Sequence, residues 1–212
     1  MEHSFYSRLT EFDRKLIEKI NSTEHRTEYF SLQRSLHEFA LDNSDRVCII
    51  SKDKTFSYGD FDRIVCNAAG RILSKTKGRP IISVLLPKSP ELIFAVSAVI
   101  YNSFAYVPLD YETITKQILF CIKDSGCSLL VTDREMFLRL ISENGGQLPC
   151  DVIFSDELFD IGTDSFQIVE AQSNELFAVI YTSGSSGDPK GVMLEYGGIF
   201  NAFSALREIQ SV

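Results

Sequence analysis

IISVLLPKSPELIFAVSAVIYNSFAYVPLD, residues 81–110, contains a complete strand–helix–strand unit. Residues 81–86 form a continuous apolar run, the mark of a strand covered on both faces. Ser89, Pro90 and Glu91 then supply an N-cap residue, a proline in the first turn and an acid at the positive helix end. Residues 92–102 follow as an apolar helix and 105–109 as a second strand. Two strands joined through a helix lie parallel, so this one unit already argues for an α/β sheet.

The same alternation continues on both sides. Downstream, residues 113–125 predict a helix stopped by Gly126, 129–132 a strand, 135–142 a helix closed by Gly145 and Gly146, and 152–154 a strand. Upstream, Ser35, Leu36, Phe39 and Leu41 suit a short helix. A β-branched strand over 47–50 turns through 51–54 into a second strand over 55–58. Ser57 and Asp60 have the spacing of a capping box, and Phe61, Ile64, Val65, Ala68 and Ile72 repeat at helical spacing behind it. The expected architecture is an α/β fold with a mostly parallel sheet flanked by helices, spanning residues 31–212. Residues 1–30 are expected to be a leading helix, with apolar positions Leu9, Phe12, Leu16 and Ile20, followed by a linker from Asn21. Residues 156–174 look like a polar, acidic connector.

Composition narrows the function classes. At 44% hydrophobic and 24% charged, the chain is an ordinary globular sequence rather than a disordered or low-complexity one. Its net charge of -8 argues against a nucleic-acid partner held through phosphate contacts. No stretch is apolar for long enough to span a bilayer, since the longest, residues 92–101, is half the needed length. Residues 1–30 lack the apolar core of a signal peptide, so no membrane and a cytoplasmic location are expected. The five scattered cysteines (Cys48, Cys66, Cys121, Cys127, Cys150) include no C-x-x-C pair, and His3, His25 and His37 have no metal-ligand spacing. Inert thiols and no metal site are therefore expected. Asp124, Asp133 and Glu143 are dispersed and read as a solvated face.

The chemistry-bearing segment is residues 181–192, YTSGSSGDPKGV. The apolar run before it and residues 192–194 after it are both strand-like, so the segment joins two strands. Thr182, Ser183, Gly184, Ser185, Ser186 and Gly187 combine hydroxyls with glycines that let backbone N–H groups approach an anion, and Lys190 adds a point charge. A Walker loop starting at Gly184 would need glycine at 189 and Ser or Thr after Lys190; Pro189 and Gly191 stand there instead.

Residues 181–192 resemble the phosphate-loop signature of the AMP-forming adenylating enzymes, the superfamily of acyl-CoA synthetases, luciferases and nonribosomal peptide synthetase adenylation domains. Residues 55–61, TFSYGDF, and 100–110, ending AYVPLD, are similar to the first and second motifs of the peptide synthetase branch. Residues 14–24 resemble the linker leading into such a domain, and Leu36-His37-Glu38 extends the similarity, with His37 a surface or packing residue.

The resemblance implies the N-terminal portion of the large adenylation subdomain, truncated at Val212, in which a carboxylate attacks the α-phosphate of ATP with Mg²⁺ present. Thr182 to Gly187 would cradle the β- and γ-phosphates, with Lys190 as the catalytic charge. An amino acid or other carboxylate and a carrier domain become partners only when the rest of the site is supplied, and the chain alone is not expected to complete the reaction. A sheet cut there would expose an apolar edge, predicting marginal stability and association. A non-catalytic nucleotide-binding module and an acyl-CoA ligase fragment are the alternatives. Three departures stand out: Tyr101-Asn102-Ser103 where the family usually has Lys-Ala-Gly, Ile114 and Gln117 where proline and arginine are common, and Tyr196 where many relatives carry histidine.

Overall fold

The computed structural model describes residues 9–22, 30–52, 54–159, 166–182 and 189–210. Helix α1 (Glu11–Asn21) starts after Thr10, whose side chain accepts from the Asp13 N–H at 3.1 Å while Asp13 accepts from the Thr10 N–H at 2.9 Å. That reciprocal cap, rather than Leu9, sets the helix start. No α1 residue is buried.

Helix α2 (Leu32–Asp42) leads to an antiparallel pair, β1 (Val47–Ile50) and β2 (Thr55–Ser57), which form their own two-stranded sheet. The second strand stops one residue short of expectation because Ser57 caps α3 (Tyr58–Lys75). Its hydroxyl accepts from the Asp60 N–H at 3.1 Å, and Asp60 accepts from the Ser57 N–H at 3.2 Å. These contacts hold the Asp60 carboxyl below its ordinary pKa, the bond from the Ser57 N–H contributing most. Ser57→Ala is expected to cost about 1 kcal/mol of stability, read from the urea midpoint.

The main sheet has six strands in the order β6-β5-β3-β4-β7-β8. Strands β3 (Ile81–Leu85), β4 (Ala105–Pro108), β5 (Leu129–Thr132), β6 (Asp151–Phe154) and β7 (Leu176–Thr182) pair in parallel, and β8 (Lys190–Glu195) runs antiparallel to β7. The parallel pairings require crossovers, which α4 (Pro90–Tyr101), α5 (Thr115–Asp124) and α6 (Arg134–Glu143) provide. Side chains alternate between two faces. Ile82, Val84, Leu129 and Val131 pack with α3 and α4, whereas Leu85 and Leu130 pack with α5 and α6 through Ile118, Ile122, Met136 and Leu140. All four residues of β5 are buried, as a strand covered on both faces must be.

Several local expectations need correction. Ser89 occupies the N-cap position of α4 but makes no side-chain cap bond, leaving Pro90 as the start signal. Asp124, Asp133 and Glu143 are not merely solvated. They accept from the Tyr181 hydroxyl at 2.7 Å, the Tyr111 hydroxyl at 2.8 Å and the Thr115 hydroxyl at 2.9 Å, and Asp133 also caps α6. The connector is anchored at both ends: Leu158 of the single turn α7 (Ser155–Leu158) and Ala171 are buried, and Phe166 and Ile168 pack against the core.

The Ser103 departure has a structural account. This residue takes a φ of 57°, the left-handed conformation natural to glycine. Its hydroxyl offsets the strain by donating to the Val169 carbonyl and accepting from Gln33 Nε2 at 3.1 Å. The neighbouring Asn102 ties α4 to α3 by donating to the Ala69 carbonyl at 2.9 Å.

Strand β8 has no further partner among the described strands, and Val192 and Met193 lie exposed on it, Met193 at 74%. An apolar edge of this kind is a template for pairing with another chain. Met193→Lys is expected to raise the protein concentration at which light scattering detects association, with stability changed by no more than about 0.5 kcal/mol.

Candidate functional site

The phosphate-loop candidate sits where the parallel sheet gives way to its antiparallel edge. β7 and β8 form a hairpin whose register places Thr182 opposite Lys190. The Thr182 hydroxyl and the Lys190 carbonyl lie 3.5 Å apart across its mouth. Both residues are exposed, and Lys190 has no ion-pair partner among the described residues. Ser183, Gly184, Ser185, Ser186 and Gly187, also expected to contact phosphate, lie outside the described residues.

Two side chains brace the hairpin. Tyr181 donates to Asp124 at 2.7 Å and meets the Phe120 ring edge-on at 6.5 Å, tying β7 to α5. Burial first, then the Asp124 carboxylate, pushes the Tyr181 phenol above its ordinary pKa, so it stays a donor at neutral pH. Opposite it, Gly191 leaves little room for a side chain. A Cβ there would come within 3.0 Å of Val179 Cγ1 and 3.2 Å of Tyr181 Cζ.

A cleft of about 210 Å³ opens beside the mouth, lined by Pro108, Asp110, Gln117, Tyr181, Thr182 and Pro189 among others. The fold thus brings the segment after β4 and the hairpin, far apart in sequence, to one cleft. Among the described residues Asp110 is the single carboxylate lining it. Sequence reading ranked Asp124 as a bland surface acid; only the meeting of α5 with β7 shows that it positions Tyr181. Tyr196, the histidine departure, is buried at the start of α8 (Tyr196–Gln210), edge-on to Phe177 at 5.0 Å.

A family model described as "AMP-binding enzyme" matches residues 36–211. Among curated relatives, tyrocidine synthase 1 of Brevibacillus parabrevis is 31% identical over 174 residues, covering 81% of this chain and 16% of that protein. Zwittermicin A synthase ZmaJ of Bacillus cereus is 26% identical over 179 residues, covering 84% of this chain and 33% of that protein. Among solved structures, the nonribosomal peptide synthetase FmoA3 bound to α-methyl-L-serine-AMP superposes with a TM-score of 0.79 at 19% identity, covering 94% of this chain and 22% of that one. The o-succinylbenzoate CoA synthetase of Bacillus subtilis, bound to its acyl-adenylate, gives 0.72 at 23% identity, covering 86% and 46%. The chain therefore spans a third or less of the curated relatives and shares the fold of both solved enzymes. With the match running through most of its length, this chain belongs to the AMP-binding enzyme family, and the curated relatives it resembles are nonribosomal peptide synthetases.

Proposed function

We propose that this chain supplies the ATP-phosphate-binding hairpin of an amino-acid-activating, AMP-forming enzyme. The observation that carries the reading is the pairing of Thr182 with Lys190 at the mouth of β7 and β8, with the hydroxyl- and glycine-rich segment 183–188 between them in sequence. These residues fit a polyphosphate: a hydroxyl donor and a lysine with no ion-pair partner among the described residues.

ATP, when bound, supplies the α-phosphorus that a substrate carboxylate attacks, with pyrophosphate leaving. The Thr182 hydroxyl donates to phosphate oxygen, and Ser183 to Gly187 add hydroxyl and backbone N–H donors. Lys190 places positive charge where negative charge gathers on the departing pyrophosphate. Mg²⁺ would arrive with the phosphates, which commonly fill most of its octahedral shell together with water. A cleft of about 210 Å³ is smaller than the roughly 300–1,000 Å³ of a drug-sized ligand pocket, so it would take part of a nucleotide only.

The test is a chimera in which this chain replaces the corresponding stretch of an active family member, assayed for amino-acid-dependent ATP–pyrophosphate exchange. Exchange above that of a chimera with residues 183–188 replaced by a glycine-free, hydroxyl-free loop supports the reading. Equal exchange in the two rejects it and leaves the chain a structural partner.

A further inference from the structure

We infer that His37, Asp62 and Cys66 form a binding site for a zinc-class divalent metal ion. This inference rests on neither the hairpin nor ATP. Asp62 and Cys66 are four residues apart on α3 and so share one face of that helix, while His37 comes from α2, which packs across it. The three prospective ligand atoms lie within 4.8 Å of one another. Sequence spacing could not show this, because the imidazole is brought to the thiol and carboxylate by helix packing rather than by a local motif.

The burial of Asp62 is the independent sign of a cation. Its side chain is only 9% exposed, and among the described residues no lysine or arginine reaches it, leaving His37, charged only when protonated, as its one ion-pair partner. Its partners are His37 Nδ1 at 2.7 Å, the Tyr101 hydroxyl at 2.9 Å and the Cys66 sulfur at 3.8 Å. Buried carboxylates are ordinarily paired with a full positive charge or bound to a metal.

The donor set also selects the class of ion. One imidazole nitrogen, one carboxylate oxygen and one thiolate sulfur suit Zn²⁺, and three protein ligands leave a fourth position open for water. Tetrahedral coordination needs ligand atoms roughly 3.3–3.6 Å apart, so an ion seated among them replaces the 2.7 Å His37–Asp62 hydrogen bond, parting that nitrogen and oxygen, and draws Cys66 in from 3.8 Å. Tyr101 donates to one oxygen of Asp62, which fixes the carboxylate while its other oxygen faces Cys66. The His37 side chain is 29% exposed and provides the way in. On binding, the Cys66 thiol releases its proton to solvent and the His37 Nδ1 proton exchanges through solvent to the other ring nitrogen, so that lone pairs on sulfur and nitrogen form the bonds to the metal.

Cobalt(II) is the probe, since a thiolate bound to it gives a near-ultraviolet charge-transfer band. We expect that band when Co²⁺ is added to the full 212-residue chain, its loss on equimolar Zn²⁺, and its persistence in Cys150→Ser. It should vanish in Cys66→Ser and in His37→Gln, with far-ultraviolet circular dichroism checking that each variant is folded. If Cys66→Ser fails to fold, the more exposed His37→Gln decides. No band in the unsubstituted chain, or a band that survives in a folded Cys66→Ser or His37→Gln, overturns the assignment in favour of a hydrogen-bonded packing cluster.

Discussion

Lys190→Ala is expected to lower ATP–pyrophosphate exchange by about 10²- to 10³-fold in the chimera that carries this chain, the loss seen when one donor to a developing oxyanion is removed. The physical basis is the position of Lys190. It opens β8 directly across from Thr182, is exposed, and has no acid to pair with among the described residues, so its charge is available to a polyanion. The same exposure separates chemistry from folding, because an exposed substitution away from caps and core changes stability by no more than about 0.5 kcal/mol. Lys190→Arg keeps the charge but changes its shape and reach, and should recover part of the rate. Exchange left intact by Lys190→Ala, in a chimera that exchanges at all, rejects the role assigned to this lysine.

Phe94→Ala is the substitution expected to weaken the fold most, by about 3–5 kcal/mol in urea unfolding. Phe94 is buried at the centre of three aromatic contacts, with Phe56 at 5.1 Å, Phe159 at 6.0 Å and Phe61 at 6.1 Å. Those rings come from β2, the end of α7 and α3, so one side chain on α4 fastens the small antiparallel sheet and the start of the connector to the parallel core. Removing it leaves a cavity lined by rings from three separate elements, which cannot all move in to fill it. A cost below 1 kcal/mol would mean that these elements collapse freely and are not held by this ring.

The parallel sheet was legible because its strands are short apolar runs bounded by turn residues, as in residues 81–86 and 129–132. The positive φ of Gly126, Gly145 and Gly146 shows why those glycines marked helix ends so well. Local chemistry was read correctly where both partners of a cap are spelled out within one turn, as with Ser57 and Asp60, though the equally local caps of Thr10 and Asp133 went unread. It failed where a partner comes from another element. Asp124 becomes a support for Tyr181, and His37 a neighbour of Asp62, only after helices pack, and nothing in the local spacing foreshadows either. Ser89 failed for a different reason. A capping residue type was present, but proline alone starts the helix. Of the candidate site, the two strands flanking the loop were foreseen from their apolar runs, whereas the cleft shared with the segment after β4 depends on strand order.

That strand order bears on synthesis. Because β4 receives β7 only after α5, β5, α6, β6 and the connector have been made, a growing chain leaves one side of β4 without a partner for much of its translation. The strand is only four residues long and ends in Pro108, which has no N–H to offer an intruder, so the nascent edge is poorly suited to pairing with another molecule. The residues that complete the sheet also carry Thr182 and Lys190. A ribosome therefore delivers the candidate nucleotide site and the closure of the β4 edge in the same stroke.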